Sequence, residues 1–431
     1  MDSSETSRET KAHFSNAGRK VCSTKLAAAT ARCALTLAVL SALLLIAARQ
    51  AEAQTETVLY NFTGGSAGAN PNSRLTLDGD GNLYGTTYDD ENEGGYGIVF
   101  ELSPNSSEGW NETTLYTFTG GKDGANPDFS YVIFDNSGNL YGTTEFGGAN
   151  GDGVVFELSS NGKGWKETVL HSFDSTTDGA YPVNGLIMDS KGNLYGTTKV
   201  GVGGTTGIVF RLSQSDGGWT EQTIYNPGGA LYGQANAGLT MDSEGNIFGA
   251  GVASVFELSP NGSGGWNSTV IHTFNQVRQT GEVSIAQGPP ALDKNGNIYG
   301  TTKYVYPDVE NGYAEVYKIS LKKGKWGTPQ VLKSFQGATR GTGPWDGVVL
   351  DAAGNIYSTT VPAGTGWGNV FELVAPIGAG KYEEKVLLTF DSTDGFAPYG
   401  GLVLDGAGAL YGTTFNGGGS GQNGVVFEVT P

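Results

Sequence analysis

Beyond residue 53 the chain holds only two histidines, His171 and His272, and no cysteine, because Cys22 and Cys33 both lie in the first 53 residues. A thiol nucleophile, a thiolate metal site and a disulfide are therefore excluded for that part of the chain. The two histidines stand at one recurring position, held elsewhere by Tyr60, Tyr116, Tyr225, Lys333 and Leu388, in different copies of a repeat. Residues so separated do not form a His-centred triad or a shared metal site. Carboxylates recur as well, at Asp78, Asp135, Asp189, Asp242, Asp293, Asp351 and Asp405. Asp78-Gly-Asp-Gly-Asn82 has a slight calcium-loop look, but the Glu that a helix–loop–helix calcium site needs at its twelfth position is missing. The reading preferred is structural: an Asp at a tight corner accepts the N–H groups of its own turn. Acid chemistry would then fall to loop residues such as Asp89, Asp128, Glu145 and Asp346. Glycine-rich loops such as Gly147–Gly153 carry neither the Lys of a phosphate loop nor a following helix, so phosphate binding has little support.

The elements that must position these groups are set by a hexapeptide. Asn-Leu-Tyr-Gly-Thr-Thr starts at Asn82, Asn139 and Asn193, and variants of it start at Asn246, Asn297, Asn355 and Ala409. Seven units of about 54 residues follow. In the second unit Ser130–Asp135, Asn139–Thr144, Val154–Leu158 and Glu167–Phe173 read as four short strands, the first two joined by an Asp-x-x-Gly-Asn hairpin turn. The 70 glycines and 16% charged residues suit strands and turns and leave little room for helix. Positions three and one before each corner Asp are apolar, as in Val132/Phe134 and Leu402/Leu404, so the first strand must be covered on both faces.

Such a strand fits the innermost place of a blade in a propeller. The fold class expected is all-β: a seven-bladed β-propeller with four antiparallel strands per blade. Glu56–Phe62 reads as a fourth strand and Val425–Val429 as a third, so each end of the chain supplies what the other lacks. Pairing the N-terminal strand with the last blade is expected to close the ring and leave no sheet edge at the seam. Trp110, Trp165, Trp219, Trp266 and Trp326, with Tyr382, precede the fourth strands and read as packing at the outer rim.

Two domains are expected, a targeting segment over 1–53 and the propeller over 54–431. Arg19, Lys20, Lys25 and Arg32 precede an uncharged apolar run from Cys33 to Ala48, and Ala51-Glu52-Ala53 is a small-x-small cleavage pattern. The run is short for a membrane span, so cleavage after Ala53 is preferred to retention as an anchor. The first 53 residues hold seven Lys and Arg against four Asp and Glu, leaving 18 basic and 39 acidic side chains, a net charge of −21, in the rest. So acidic a surface disfavours nucleic acid.

At this point the elements Leu-Tyr-Gly-Thr-Thr, Gly-x-Val-Phe-Glu-Leu and Leu-x-x-Phe resemble the GloVer tandem-repeat family of exported bacterial proteins, over essentially all of residues 57–431. The resemblance implies export, often with a C-terminal anchoring signal, and no common activity. The chain ends at Pro431 directly after its third-strand sequence, so free secretion, extracellular or periplasmic, is expected rather than anchoring.

Where the repeat varies, binding is expected. Six residues before the corner Asp stand Asn72, Phe129, Val183, Asn236, Gln287, Trp345 and Tyr399, and three before the third-strand Val-Phe pair stand Tyr96, Asp152, Thr206, Val252, Tyr313, Trp367 and Asn423. Trp345, Trp367, Tyr399 and Tyr96 fall in blades six, seven and one, an aromatic sector on one face, with Asp346, Asp394, Asn369 and Asn416 beside it for hydrogen bonds. These are the candidate ligand-binding residues; no catalytic residue and no metal ligand is assigned. The function expected is a secreted, monomeric binding module for extracellular glycan or protein, without a cofactor, calcium being the one cation the corner sequences suggest. The alternatives are a propeller enzyme, such as a glycan lyase, glycosidase or metal-dependent lactonase, and a structural protein of the cell envelope or matrix.

Overall fold

The computed structural model describes residues 55–89, 95–106, 109–227, 237–251, 254–274, 283–305, 314–335, 343–361, 367–378 and 380–431. The targeting segment, Asn236, Val252 and Tyr313 lie outside them. Among the described residues there is no α-helix, and seven antiparallel sheets of four strands stand as the blades of a propeller, the third with an added two-residue strand, Thr205–Thr206. In blade two the strands run outward from Ile133–Phe134 through Leu140–Thr144 and Val154–Ser160 to Trp165–Ser172. The outermost strand of the seventh sheet is Thr55–Asn61, antiparallel to Val425–Thr430, with Val58 opposite Phe427 and Asn61 opposite Val425.

Every residue of the hexapeptide has a physical task. Asn139 donates its amide to Asp135 Oδ2 at 2.8 Å, and Tyr141 donates its hydroxyl to the same oxygen at 3.2 Å. Asp135 Oδ1 accepts the N–H groups of Ser137 at 2.7 Å and Asn139 at 2.9 Å, which fixes the corner. Burial pulls the other way, but these donors hold the Asp135 carboxyl below its ordinary range, as they do at Asp78, Asp189 and Asp293. Leu140 is fully buried between blades. Gly142 lies under the Phe156 ring: a Cβ there would meet Phe156 Cζ at 2.6 Å, and the same holds for Gly85 under Phe100 and Gly412 under Phe427. Thr143 donates its hydroxyl to the Asn184 carbonyl of the next blade at 3.1 Å. Thr413 of blade seven does so to Ser73 of blade one at 2.9 Å.

Seven apolar cores lie between successive blades. The one between the last blade and the first joins Tyr411 and Val426 to Leu75, Leu83 and Phe100. At fractional exposures near zero these side chains dominate the folding free energy, at roughly 1.5–3 kcal/mol for each large one buried. A second interlock is polar. Asn70, Asn126, Tyr181 and Ala397 take positive φ before a proline, and each N–H reaches a carbonyl of the preceding blade at 2.8–3.1 Å. The proline then seats on a glycine with φ near +90°, as Pro127 does on Gly97 and Pro182 on Gly153, where a Cβ would come within 2.5 Å of the ring.

Candidate functional site

Among the described residues, the one directly after the hexapeptide stands at the loop end of its blade. In blades one, two, three, six and seven it is Tyr88, Glu145, Lys199, Val361 and Phe415. Together with the links that lead into the inner strands, these residues divide the face into an aromatic part and a charged part.

The aromatic part is a contiguous row across three blades. Trp345 and Tyr399 have ring centroids 5.2 Å apart, Tyr399 and Phe415 5.6 Å, and Phe415 and Tyr88 6.5 Å. All four are half-buried, so each presents part of a ring to solvent. A tight turn through Pro398, closed by the Tyr399 N–H on the Ala397 carbonyl at 2.8 Å, sets Tyr399 between its neighbours. Trp367, 41% exposed, packs edge-on against Phe396 at 4.9 Å beside the row. Tyr96, 40% exposed, belongs to blade one, and its ring lies over Gly120, away from the other three predicted aromatics. Phe415 and Tyr88 were not among the residues expected from sequence; the position after the hexapeptide, variable where the hexapeptide is not, is the signal that points to them.

The charged part spans blades one to three. Lys199 Nζ donates to Asp128 Oδ2 at 2.8 Å and to Glu145 Oε1 at 2.7 Å. Asn72 donates its amide to Asp128 Oδ1 at 2.8 Å and accepts the Phe129 N–H at 3.2 Å. Asn72, Asp128 and Glu145 are buried. Two carboxylates thus share one ammonium. Burial, then Asp128, push the Glu145 carboxyl up against the pull of Lys199. Burial favours a neutral Lys199, but the two carboxylates outweigh it and hold the ammonium above its usual range.

The predicted acids are already engaged by the protein. Asp346 accepts the Gly347 N–H at 2.7 Å and lies against Gly401 and toward Arg74, so it faces the central channel rather than the groove. Burial raises its carboxyl above the ordinary range, with the N–H groups and Arg74 opposing. Asp394 accepts the Asp391 N–H at 2.6 Å and pairs with Glu56 at the outer rim. Asp89 accepts the Ala69 N–H.

At the rim, His171 Nε2 meets Asp178 Oδ2 at 2.8 Å, whereas His272 is held below the usual imidazole range by burial. The repeated tryptophans seat on the preceding blade: Trp266 on Tyr195 at 5.7 Å and Trp326 on Phe248 at 5.9 Å. Among the described residues no three of His, Cys, Asp and Glu are placed to hold a metal ion. No helix among them is long and apolar enough to cross a membrane.

The sequence profile of the Gloeobacter/Verrucomicrobia repeat matches residues 48–254 and 222–431. None of the curated proteins matches. Among solved structures, the polysaccharide lyase Uly1 is similar at 11% identity and a TM-score of 0.50, over 86% of this chain and 92% of the lyase. An α-L-arabinanase of Penicillium chrysogenum, complexed with arabinobiose, aligns at 14% identity and a TM-score of 0.44, over 87% of this chain and 97% of that one. Likeness at such identity concerns the fold alone.

Proposed function

The chain belongs to the Gloeobacter/Verrucomicrobia repeat family, and from that premise we propose that it is an exported binding module that takes up extracellular glycan on its loop face. The observation that carries this reading is the row Trp345–Tyr399–Phe415–Tyr88, whose rings form one continuous apolar strip. Aromatic faces stack on the C–H faces of sugar rings, and a strip of several rings suits a chain of several sugars. Trp367, a more exposed ring, stands beside it. Lys199, across the mouth, has a third ammonium N–H beyond those given to Asp128 and Glu145 for a hydroxyl. The first 53 residues serve as the export signal, removed after Ala53. Protein recovered from a secreting host, with its N-terminus sequenced, is to be titrated against immobilised polysaccharides with and without calcium. Saturable binding that disappears in the Trp345→Ala/Tyr399→Ala variant supports the module, and no binding by folded protein ends the glycan reading.

One observation favours an enzyme as the second reading: Asp128 and Glu145 converge on one ammonium, and Glu145 holds its proton more tightly than an ordinary carboxyl, as a general acid does. Release of reducing or unsaturated ends from the same polysaccharides, abolished by Glu145→Gln, would establish it.

A further inference from the structure

The central channel presents a second, chemically different site at the hairpin face, opposite the loops. Position four before the corner Asp faces the channel, and in blade order it carries Arg74, Tyr131, Gly185, Gly238, Pro289, Gly347 and Gly401. One cation thus stands in a ring of small, apolar or aromatic residues. Below it opens a cavity of about 350 Å³, walled by Pro289, Leu292, Val349, Val403 and Leu404, with Arg74 as its only charged lining residue. The one polar wall residue, Thr240, spends its hydroxyl on the Pro290 carbonyl. Among the described residues no carboxylate forms an ion pair with Arg74; Asp346 lies above it and accepts the Gly347 N–H. The stem of Arg74 passes Gly401, where an added Cβ would meet its Cδ at 3.7 Å. A chamber walled mostly by apolar side chains, with a single guanidinium at its inner end, is complementary to a ligand with an apolar tail and one anionic head.

We propose that the hairpin end of the channel binds a small aliphatic monocarboxylate, its carboxylate on Arg74 and its tail against Leu292, Val349 and Leu404. This does not rest on the glycan reading, because the two sites lie at opposite ends of the channel. The test is calorimetric titration of the secreted protein with hexanoate, octanoate and octan-1-ol. Octanoate is expected to bind at one site and about tenfold tighter than hexanoate, since each buried methylene is worth roughly a three- to fourfold gain. Octan-1-ol, lacking the charge, is expected to bind at least about tenfold more weakly than octanoate. Arg74→Gln should erase the preference for the acid over the alcohol, while Arg74→Lys keeps part of it. Val349→Trp, which fills the chamber and leaves the charge in place, should abolish binding of all three. Near-ultraviolet circular dichroism identifies any variant that has not folded. Absence of saturable octanoate binding into the millimolar range by folded wild-type protein overturns the proposal, as does octanoate binding that Arg74→Gln and Val349→Trp both leave unchanged.

Discussion

The corner aspartates offer the sharpest test of whether the repeat is a structural device or a set of cation ligands. In Asp135→Ala the Ser137 N–H faces solvent and loses little, but the Asn139 N–H, the Asn139 amide and the Tyr141 hydroxyl lose an ionised acceptor in a part-buried place. At about 1 kcal/mol for each part-buried bond, the variant should lose roughly 2–4 kcal/mol. Blade four supplies the control. Asp242 makes the same three turn and amide bonds, but Phe248 replaces the tyrosine, so Asp242→Ala should cost about 1 kcal/mol less. A double-mutant cycle of Asp135→Ala with Tyr141→Phe isolates that term as a coupling of about 1 kcal/mol. The assay is urea unfolding followed by tryptophan fluorescence, repeated with chelator and with calcium. Since the Asp135 carboxyl is held below its ordinary range, its contribution is complete above the unfolded-state value and is lost as pH falls through the folded one. The gap between wild type and Asp135→Ala should therefore close in strong acid. Equal losses in blades two and four, or a chelator that lowers wild-type stability and leaves Asp135→Ala untouched, would refute the structural account.

Three further outcomes follow from the same geometry. Glu56 and Glu167 are each pushed up to about 7, by burial first and then by Asp394 and Asp123 respectively, so the folded state holds their protons more tightly than the unfolded chain. Their favourable contribution is present below the unfolded-state value and is lost as pH rises toward 7; Glu56→Gln and Glu167→Gln should raise the melting temperature at pH 8 more than at pH 4, by a margin that solvent screening keeps small. Lys199→Met leaves Asp128 and Glu145 facing each other and should cost about 3 kcal/mol or more at neutral pH, with part recovered in acid as Glu145 protonates, read from unfolding midpoints. Gly142→Ala drives a methyl to 2.6 Å from Phe156 Cζ and should cost roughly 1–3 kcal/mol, whereas the same change at Ser358 in blade six, which already carries a Cβ there, should lose only its hydrogen bond to Gly347.

Most of the fold was legible because the repeat writes the same local problem seven times. The corner Asp, the Gly under a ring and the apolar positions flanking the inner strand are each fixed by contacts within a blade or with the next one, and so recur in sequence. The candidate site was legible only in part. Trp345 and Tyr399 were expected together and meet, but the row continues through Phe415 and Tyr88, which no linear spacing joins. What joins them is the rotation between blades, which brings residues from different repeats into contact and is a property of the assembled ring. Tyr96 shows the converse: it holds the loop position of Trp367, yet its ring settles on Gly120, whose φ of +74° and missing side chain open space for it. Asp346 was expected beside the groove, but the N–H of Gly347 and the glycine at 401 draw it inward.

This division of labour explains why the loop face varies while the blades do not. Within the hexapeptide the Asn, Tyr and first Thr spend their polar atoms on the corner or the next blade, and in most blades the Gly spends its missing side chain on the strand-three ring. A substitution at any of these breaks a contact within the blade or with the next one, so the framework tolerates little change there. The next residue does not bind the corner and differs from blade to blade: it is aromatic at 88 and 415, acidic at 145, basic at 199 and aliphatic at 361. In blades one, two, three, six and seven these positions are divided between rings that stack, charges that bridge and one buried aliphatic side chain. Replacing Lys199 by an aromatic would therefore penalise the protein through Asp128 and Glu145, whereas Val361 is buried, so a ring placed there should overpack its site and cost roughly 1–3 kcal/mol, read from unfolding midpoints.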